Sequence, residues 1–199
     1  MSQNKYLLSQ PTICIIAGVA GSGKSTLGKE IARKLINGTL LSKDLLQNAF
    51  TEKDRSGQLY GFISGPTAKI LVNFVDLQLS CGKIPLIDAP FSFNHQRTDE
   101  FQDWVSHFRN VAEKHHARLA IIRCLPPNEE ELNKRIKERG YTWDQWKLDH
   151  WEDFLKRDPL DFPIPHDDVY ELITTTSPAE LAEHVLQHYL KASFITLIN

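Results

Sequence analysis

The sequence predicts an α/β fold built on a parallel sheet, and three observations predict it. Strand-like apolar runs alternate with helix-like amphipathic ones along the chain. The first such run, Thr12-Ile13-Cys14-Ile15-Ile16-Ala17, is short, continuous and β-branched, the pattern of a strand buried on both faces. It feeds straight into Gly18-Val19-Ala20-Gly21-Ser22-Gly23-Lys24-Ser25-Thr26, which satisfies G-x-x-x-x-G-K-[ST], and then into Leu27, Ile31 and Leu35 at helical spacing.

The remaining elements follow in order. Asn37-Gly38 supplies a stop for the first helix, and Thr39-Leu40-Leu41-Ser42 reads as the second strand. A short helix covers Leu45 to Phe50. The stretch Thr51–Gly65, largely polar and carrying several glycines, reads as a loop. Pro66 takes the first position of the next helix, with Ile70, Phe74 and Leu77 on one face and Gly82 as its stop. Ile84-Pro85-Leu86-Ile87-Asp88 is the third strand, its proline near the start, where a missing donor is best tolerated. A fourth helix lies within Gln96–His115, and Arg118–Leu125 is the fourth strand. Asn128 and Glu131 form a capping-box pattern after Pro126-Pro127, and Gly140 closes that helix. Residues 141–166 are dense in Trp, Asp, Lys, His and Pro. Val169–Thr174 is the last core strand. Ser177-Pro178-Ala179-Glu180 opens a final helix that runs to about Leu190. The apolar tail Ser193–Asn199 receives no assignment.

Composition sets the frame. At 199 residues the chain fits one domain with a sizeable core. Apolar residues at 41% and charged residues at 24% are ordinary for a globular protein. A net charge of −2 argues against a general nucleic-acid binder. No stretch approaches the roughly 18 to 20 apolar residues of a membrane span, and no secretory pattern opens the sequence, so a cytoplasmic location is expected. Cys14, Cys81 and Cys124 are scattered and form no C-x-x-C, which points to reduced structural thiols rather than a disulfide framework or zinc site.

The glycine-rich turn carries the chemistry. Its glycines let the backbone curl until its N–H groups converge on phosphate oxygens. Lys24 places a point charge at the β- and γ-phosphates, and the Ser25 hydroxyl suits Mg²⁺. A helix starting near Lys24 adds its positive N-terminal end. Gly18, Ala20, Gly21, Ser22, Gly23, Lys24, Ser25 and Thr26 are therefore the expected nucleotide-binding residues, with a nucleoside triphosphate, ATP or another, and Mg²⁺ as the expected cofactors.

Ligands of open α/β sheets bind at the C-terminal ends of the strands, so polar residues there are candidates. Asp88 ends the third strand and is placed to hold Mg²⁺. Asp44, after the second strand, can accept a proton from an acceptor hydroxyl; the alternative is a helix N-cap. The two carboxylates can also exchange roles. Arg135 and Arg139, four apart on one helix, share a face that can stabilise charge on a transferring phosphoryl group, or simply pair with Glu131 and Glu138. Arg123, inside a strand, faces either solvent or a structural partner.

Together the P-loop, Leu41-Ser42-Lys43-Asp44, Leu86-Ile87-Asp88-Ala89 and Leu132…Arg135…Arg139-Gly140 resemble the P-loop small-molecule and polynucleotide kinase group. That group includes chloramphenicol phosphotransferase-like enzymes, polynucleotide 5′-kinases, gluconate and shikimate kinases and zeta-toxin-like kinases. The resemblance runs from Thr12 to about Leu190. It implies a three-layer P-loop NTPase fold with a five-stranded parallel sheet in the order 2-3-1-4-5 and a helical lid. It makes residues 1–199 a single kinase domain, with core 12–126 and 167–191 and lid 127–166. It also implies Asp44 as base, Asp88 as the second acid, Arg135 and Arg139 on the lid, and Thr174–Pro178 near the nucleotide base.

On the acceptor side, the 51–66 loop and the 90–97 segment bring Phe62, Phe91, Phe93, His95 and Arg97 into consideration, although a single phenylalanine is more often core. Trp143, Trp146 and Trp151 either line the acceptor site or pack the lid; packing is preferred. His115-His116 suits a helix C-terminus better than a metal. The leading function is transfer of the γ-phosphate of Mg·ATP to a hydroxyl of a small molecule. A polynucleotide 5′-hydroxyl kinase and a partner-regulated ATPase are the alternatives. No N-K-x-D guanine motif is present.

Overall fold

Buried parallel strands have no solvent face, so both their faces must be apolar, and the continuous runs in the sequence become the centre of the molecule. A computed structural model describes residues 3–51, 58–90, 98–164 and 166–197. The strands are β1 (Gln3–Leu7), β2 (Thr12–Ala17), β3 (Gly38–Ser42), β4 (Ile84–Asp88), β5 (Arg118–Leu125), β6 (Val169–Ile173) and β7 (Ser193–Leu197). The helices are α1 (Lys24–Lys34), α2 (Lys43–Thr51), α3 (Gln58–Ser80), α4 (Thr98–Lys114), α5 (Glu129–Arg139), α6 (Gln145–Asp149), α7 (Trp151–Arg157) and α8 (Pro178–His184). A 3₁₀ turn at Thr142–Asp144 precedes α6, and a π turn at Val185–Tyr189 continues α8.

Strands β2 to β6 form one parallel sheet in the order β3-β4-β2-β5-β6. Counted along these five strands, this is the order 2-3-1-4-5. One face buries Ile16, Leu86 and Ile122 under α1 and α8. The other buries Ile15, Ile87 and Ile121 under α3 and α4. Period-two alternation along each strand thus feeds two separate cores. The caps form as their sequences direct. Asn128 accepts from Glu131 N at 2.8 Å, Gly140 closes α5 in the left-handed region, and Ser177 and Glu180 complete a capping box. Among the described residues no helix is long and apolar enough to cross a membrane.

Three expectations change. The segment expected as a loop over Thr51–Gly65 is helical from Gln58, so Pro66 lies inside α3 rather than at its first position. Gly61 and Gly65 have weak local helix propensity, which hides this stretch of helix in the sequence. The first helix ends at Leu35, which is already extended, so Gly38 opens β3 instead of capping α1. The unassigned tail pairs antiparallel with the start of the chain, with Tyr6 opposite Phe194.

Candidate active site

The glycine-rich turn joins β2 to α1, with Gly18, Gly21 and Gly23 at positive φ. Gly21, at φ +86°, shows why: a Cβ there would lie 2.8 Å from Leu132 Cδ1 and 2.9 Å from Ile136 Cγ1. Helix α5 therefore rests directly on the phosphate loop. Lys24 is buried, and its Nζ donates to Val19 O at 3.4 Å, across the loop. Gly18 N donates to Pro90 O at 3.1 Å and Ala89 N to Ile16 O at 3.2 Å, tying the chain after β4 to the loop.

A cleft of about 600 Å³ opens at the C-terminal ends of β2, β3 and β4. Ala20, Lys24, Ser25, Asp44, Asp88 and Arg139 all line it. Asp88 pairs in register with Ile16 on one side and Ser42 on the other. It is 3% exposed, and its Oδ1 is buried with no hydrogen-bond partner among the described residues. A buried carboxylate oxygen without a donor is costly unless a ligand completes it. A carboxylate and a serine hydroxyl lining one cleft make a hard-oxygen donor set of the kind Mg²⁺ takes. Asp88 and Ser25 therefore fit that ion. Asp44 lies in the first turn of α2, half-buried. The cap of α2 is Ser42, whose Oγ accepts from Leu45 N at 3.4 Å. Asp44 is thus not occupied as an N-cap.

The two arginines expected together separate. Arg139 faces the cleft. Arg135 turns to the end of β6: Nη1 donates to Thr174 Oγ1 at 2.8 Å, Nη2 to Thr174 O at 2.7 Å and Nε to Glu131 at 2.8 Å. The Thr174 hydroxyl lies 3.1 Å from Ser22 O and 3.0 Å from Leu125 O. Arg135 therefore braces the far side of the loop. Of the other loop residues, Ser22 is buried with its Oγ unpartnered among the described residues, Gly23 packs near Thr174, and Thr26 is exposed on α1.

Arg123 proves structural. It is buried, its Nη1 donates to Glu171 at 2.7 Å, its Nη2 donates to Phe162 O, and its guanidinium stacks 4.8 Å from the Phe162 ring. His115, just past α4, lies 2.6 Å from Asp76 Oδ1. Burial pushes the Cys14 and Cys124 thiols up to about 12, which makes them unreactive. Phe91, Phe93, His95 and Arg97 lie outside the described residues, and Phe62 falls within α3.

Sequence reasoning preferred packing for Trp143 and did not single out Tyr141, Lys147 or Arg157. Tyr141, Trp143, Lys147 and Arg157 also line the cleft. The Tyr141 and Trp143 rings stack at 4.5 Å, and the Arg157 guanidinium lies 4.6 Å from the Trp146 ring. Trp151 does pack, 5.5 Å from Phe154, in a small core with Val19, Leu132 and Ile136. Asp144, 1% exposed, accepts from Arg139 Nε at 2.5 Å and from Lys147 Nζ. Burial pushes its carboxyl up, but the two cations outweigh that and hold it below the usual carboxylate range. The pairing of Asp144 with Lys147 three residues on was the one available signal.

The model of the AAA_33 family, described as an AAA domain, matches residues 13–158. The chain belongs to that family, and its fold is that of P-loop kinases. It is similar to a protein from Chloroflexus aurantiacus described as a "putative kinase", with 20% identity over 90% of this chain and 99% of the other and a TM-score of 0.68. It is similar to the APS kinase of Mycobacterium tuberculosis solved with AMPPNP and APS, with 18% identity over 89% and 96% and a TM-score of 0.62. It is also similar to a gluconokinase from Sinorhizobium meliloti, with 18% identity over 91% and 92% and a TM-score of 0.58. No curated protein matches it in sequence.

Proposed function

We propose that this protein is an ATP-dependent phosphotransferase that moves the γ-phosphate of Mg·ATP to a hydroxyl of a small molecule. One observation carries the reading: a single cleft gathers the loop lysine Lys24, the hydroxyl of Ser25, two carboxylates at neighbouring strand ends and the cation of Arg139. The small-molecule kinases with this fold support the same reading.

The roles divide by burial. Ser25 and Asp88 would hold Mg²⁺, which supplies charge neutralisation on the phosphate oxygens when bound. Asp44, half-exposed beside Leu45 and Asn48, accepts the proton of the acceptor hydroxyl. Lys24 and Arg139 stabilise charge on the transferring group. Arg135, bound to Thr174, marks the nucleoside side of the loop rather than the transfer site. The segment 127–166 serves as the lid, carried on the loop through Leu132 and Ile136, and excludes the water that competes as acceptor.

The test is ADP release with Mg·ATP across a panel of sugars, carboxylated polyols, nucleosides and antibiotics. The expected result is acceptor-dependent turnover that Lys24→Ala lowers by about 100-fold or more. Turnover that no acceptor raises, across the whole panel and 5′-hydroxyl oligonucleotides, would replace this reading with an ATPase.

A further inference from the structure

The carboxylate of Asp144 sits between two of the cleft's cations, and this arrangement has a use that stability does not explain. Asp144 bonds Arg139 through Oδ2 and Lys147 through Oδ1. Both cations line the same cleft as Lys24, Asp44 and Asp88. Lys147 Nζ lies 5.9 Å from the ring of Phe154, and fully buried Phe154 packs with Val19 of the phosphate loop. The cations are thus set relative to the loop by one small core.

Desolvating the Asp144 carboxylate, 1% exposed between cations that are 28% and 12% exposed, offsets much of what the two ion pairs gain. Two like charges facing one cavity also repel. A buried carboxylate that holds both offsets that repulsion and fixes where each charge sits, which is what an anion-binding site requires. An ammonium carries three donors, and holding one on Asp144 orients the group. Arg139 and Lys147 share the cleft with Asp44, whereas Arg135 lies at Thr174. The pair therefore faces the transfer end of a bound nucleotide.

We propose that Lys147 is a second phosphate-binding residue, paired with Arg139 at the γ-phosphate, and that Asp144 is the positioning residue that holds both. The proposal rests on the reading of the cleft as an ATP site. A contact to the γ-phosphate alone distinguishes triphosphate from diphosphate, and a charge that merely balances Asp144 does not.

The experiment is calorimetric titration of the full chain with Mg·AMPPNP and with Mg·ADP, for wild type, Lys147→Met, Lys147→Arg and Asp144→Asn, with melting temperatures measured alongside. Lys147→Met is expected to weaken AMPPNP about tenfold and ADP less than about twofold. Lys147→Arg restores most of the difference, and Asp144→Asn shifts the ratio in the same direction as Lys147→Met. Equal weakening of both nucleotides, or no change in either, overturns the proposal while leaving the ATP site intact. A wild type that binds neither nucleotide overturns the ATP reading itself and the proposal with it. If Asp144→Asn does not fold, the two Lys147 variants still decide.

Discussion

Asp44 and Asp88 are both carboxylates at strand ends, yet their surroundings assign them different work. Asp88 is almost wholly buried, with an oxygen that no donor satisfies among the described residues, while Asp44 is half-exposed on a helix already capped by Ser42. On the proposed reading the proton-accepting role falls to Asp44, the group that an acceptor can reach. Asp44→Asn is therefore expected to lower kcat by about 10²- to 10⁴-fold with the affinity for Mg·ADP essentially unchanged. Steady-state kinetics with calorimetric binding checks this. Asp88→Asn should behave in the opposite way. Replacing a buried carboxylate whose oxygen has no partner among the described residues leaves the melting temperature of the nucleotide-free protein unchanged or higher, while the Mg²⁺ concentration for half-maximal turnover rises about tenfold. A fall in melting temperature with unaltered Mg²⁺ dependence would make Asp88 a structural group.

At the scale of elements, the Asp144 latch between α5 and α6 sets a pH limit on the segment proposed as the lid. Asp144 titrates below its unfolded value of about 3.9 because Arg139 and Lys147 hold its charged form. A carboxylate lowered by folding adds stability that is fully present above the unfolded value and is lost as pH falls through the folded one. Acidification from pH 5 downward is expected to loosen α6 and α7. Fluorescence of Trp143, Trp146 and Trp151 reports it, and Asp144→Asn abolishes this component while leaving the contributions of Asp76 and Asp168. A titration identical in the two proteins would remove the latch from the account. The elements also differ in how far the sequence reveals them. Strands β2, β4 and β5 are legible because burial on both faces forces continuous apolar runs, the less buried edge strands β3 and β6 by their short apolar runs between helices, and α5 and α8 because their caps are local. The first two turns of α3 are not, since Gly61, Gly65 and Pro66 each oppose a helix locally. Lys24 could be picked out by motif, Asp44 and Asp88 by strand end, and Arg139 by its spacing on a helix. The turn of Arg135 to Thr174, and of Lys147 into the cleft, depends on partners 39 residues away and on a buried carboxylate, which spacing does not encode.

The whole molecule is closed by its two ends. β1 and β7 pair across nearly the full length of the chain, a contact with no local signature and a large loop-closure cost. Tyr6 is the fastener. It is 1% exposed, its hydroxyl donates to Glu183 Oε1 at 2.9 Å and accepts from Gln187 Nε2 at 2.9 Å, and its ring meets Phe194 edge-on at 5.5 Å. Its backbone carbonyl also accepts from Ile36 N at 3.1 Å, linking the ribbon to the end of α1. Tyr6 belongs to the core under α1 and α8, on the sheet face opposite α3 and α4, and none of these partners lines the cleft. Tyr6→Ala is expected to cost about 3–5 kcal/mol by analogy with aromatic truncations in cores. At about 2–4 °C per kcal/mol for a chain of this size, the melting temperature falls by roughly 6–20 °C. Tyr6→Phe keeps the ring and loses only the two hydrogen bonds, at about 1 kcal/mol. Below the melting transition kcat stays at the wild-type value for both variants. Differential scanning calorimetry paired with turnover at 25 °C separates the two effects. A loss of kcat in folded Tyr6→Ala would show that the terminal ribbon acts on the cleft through α1, rather than only holding the fold closed.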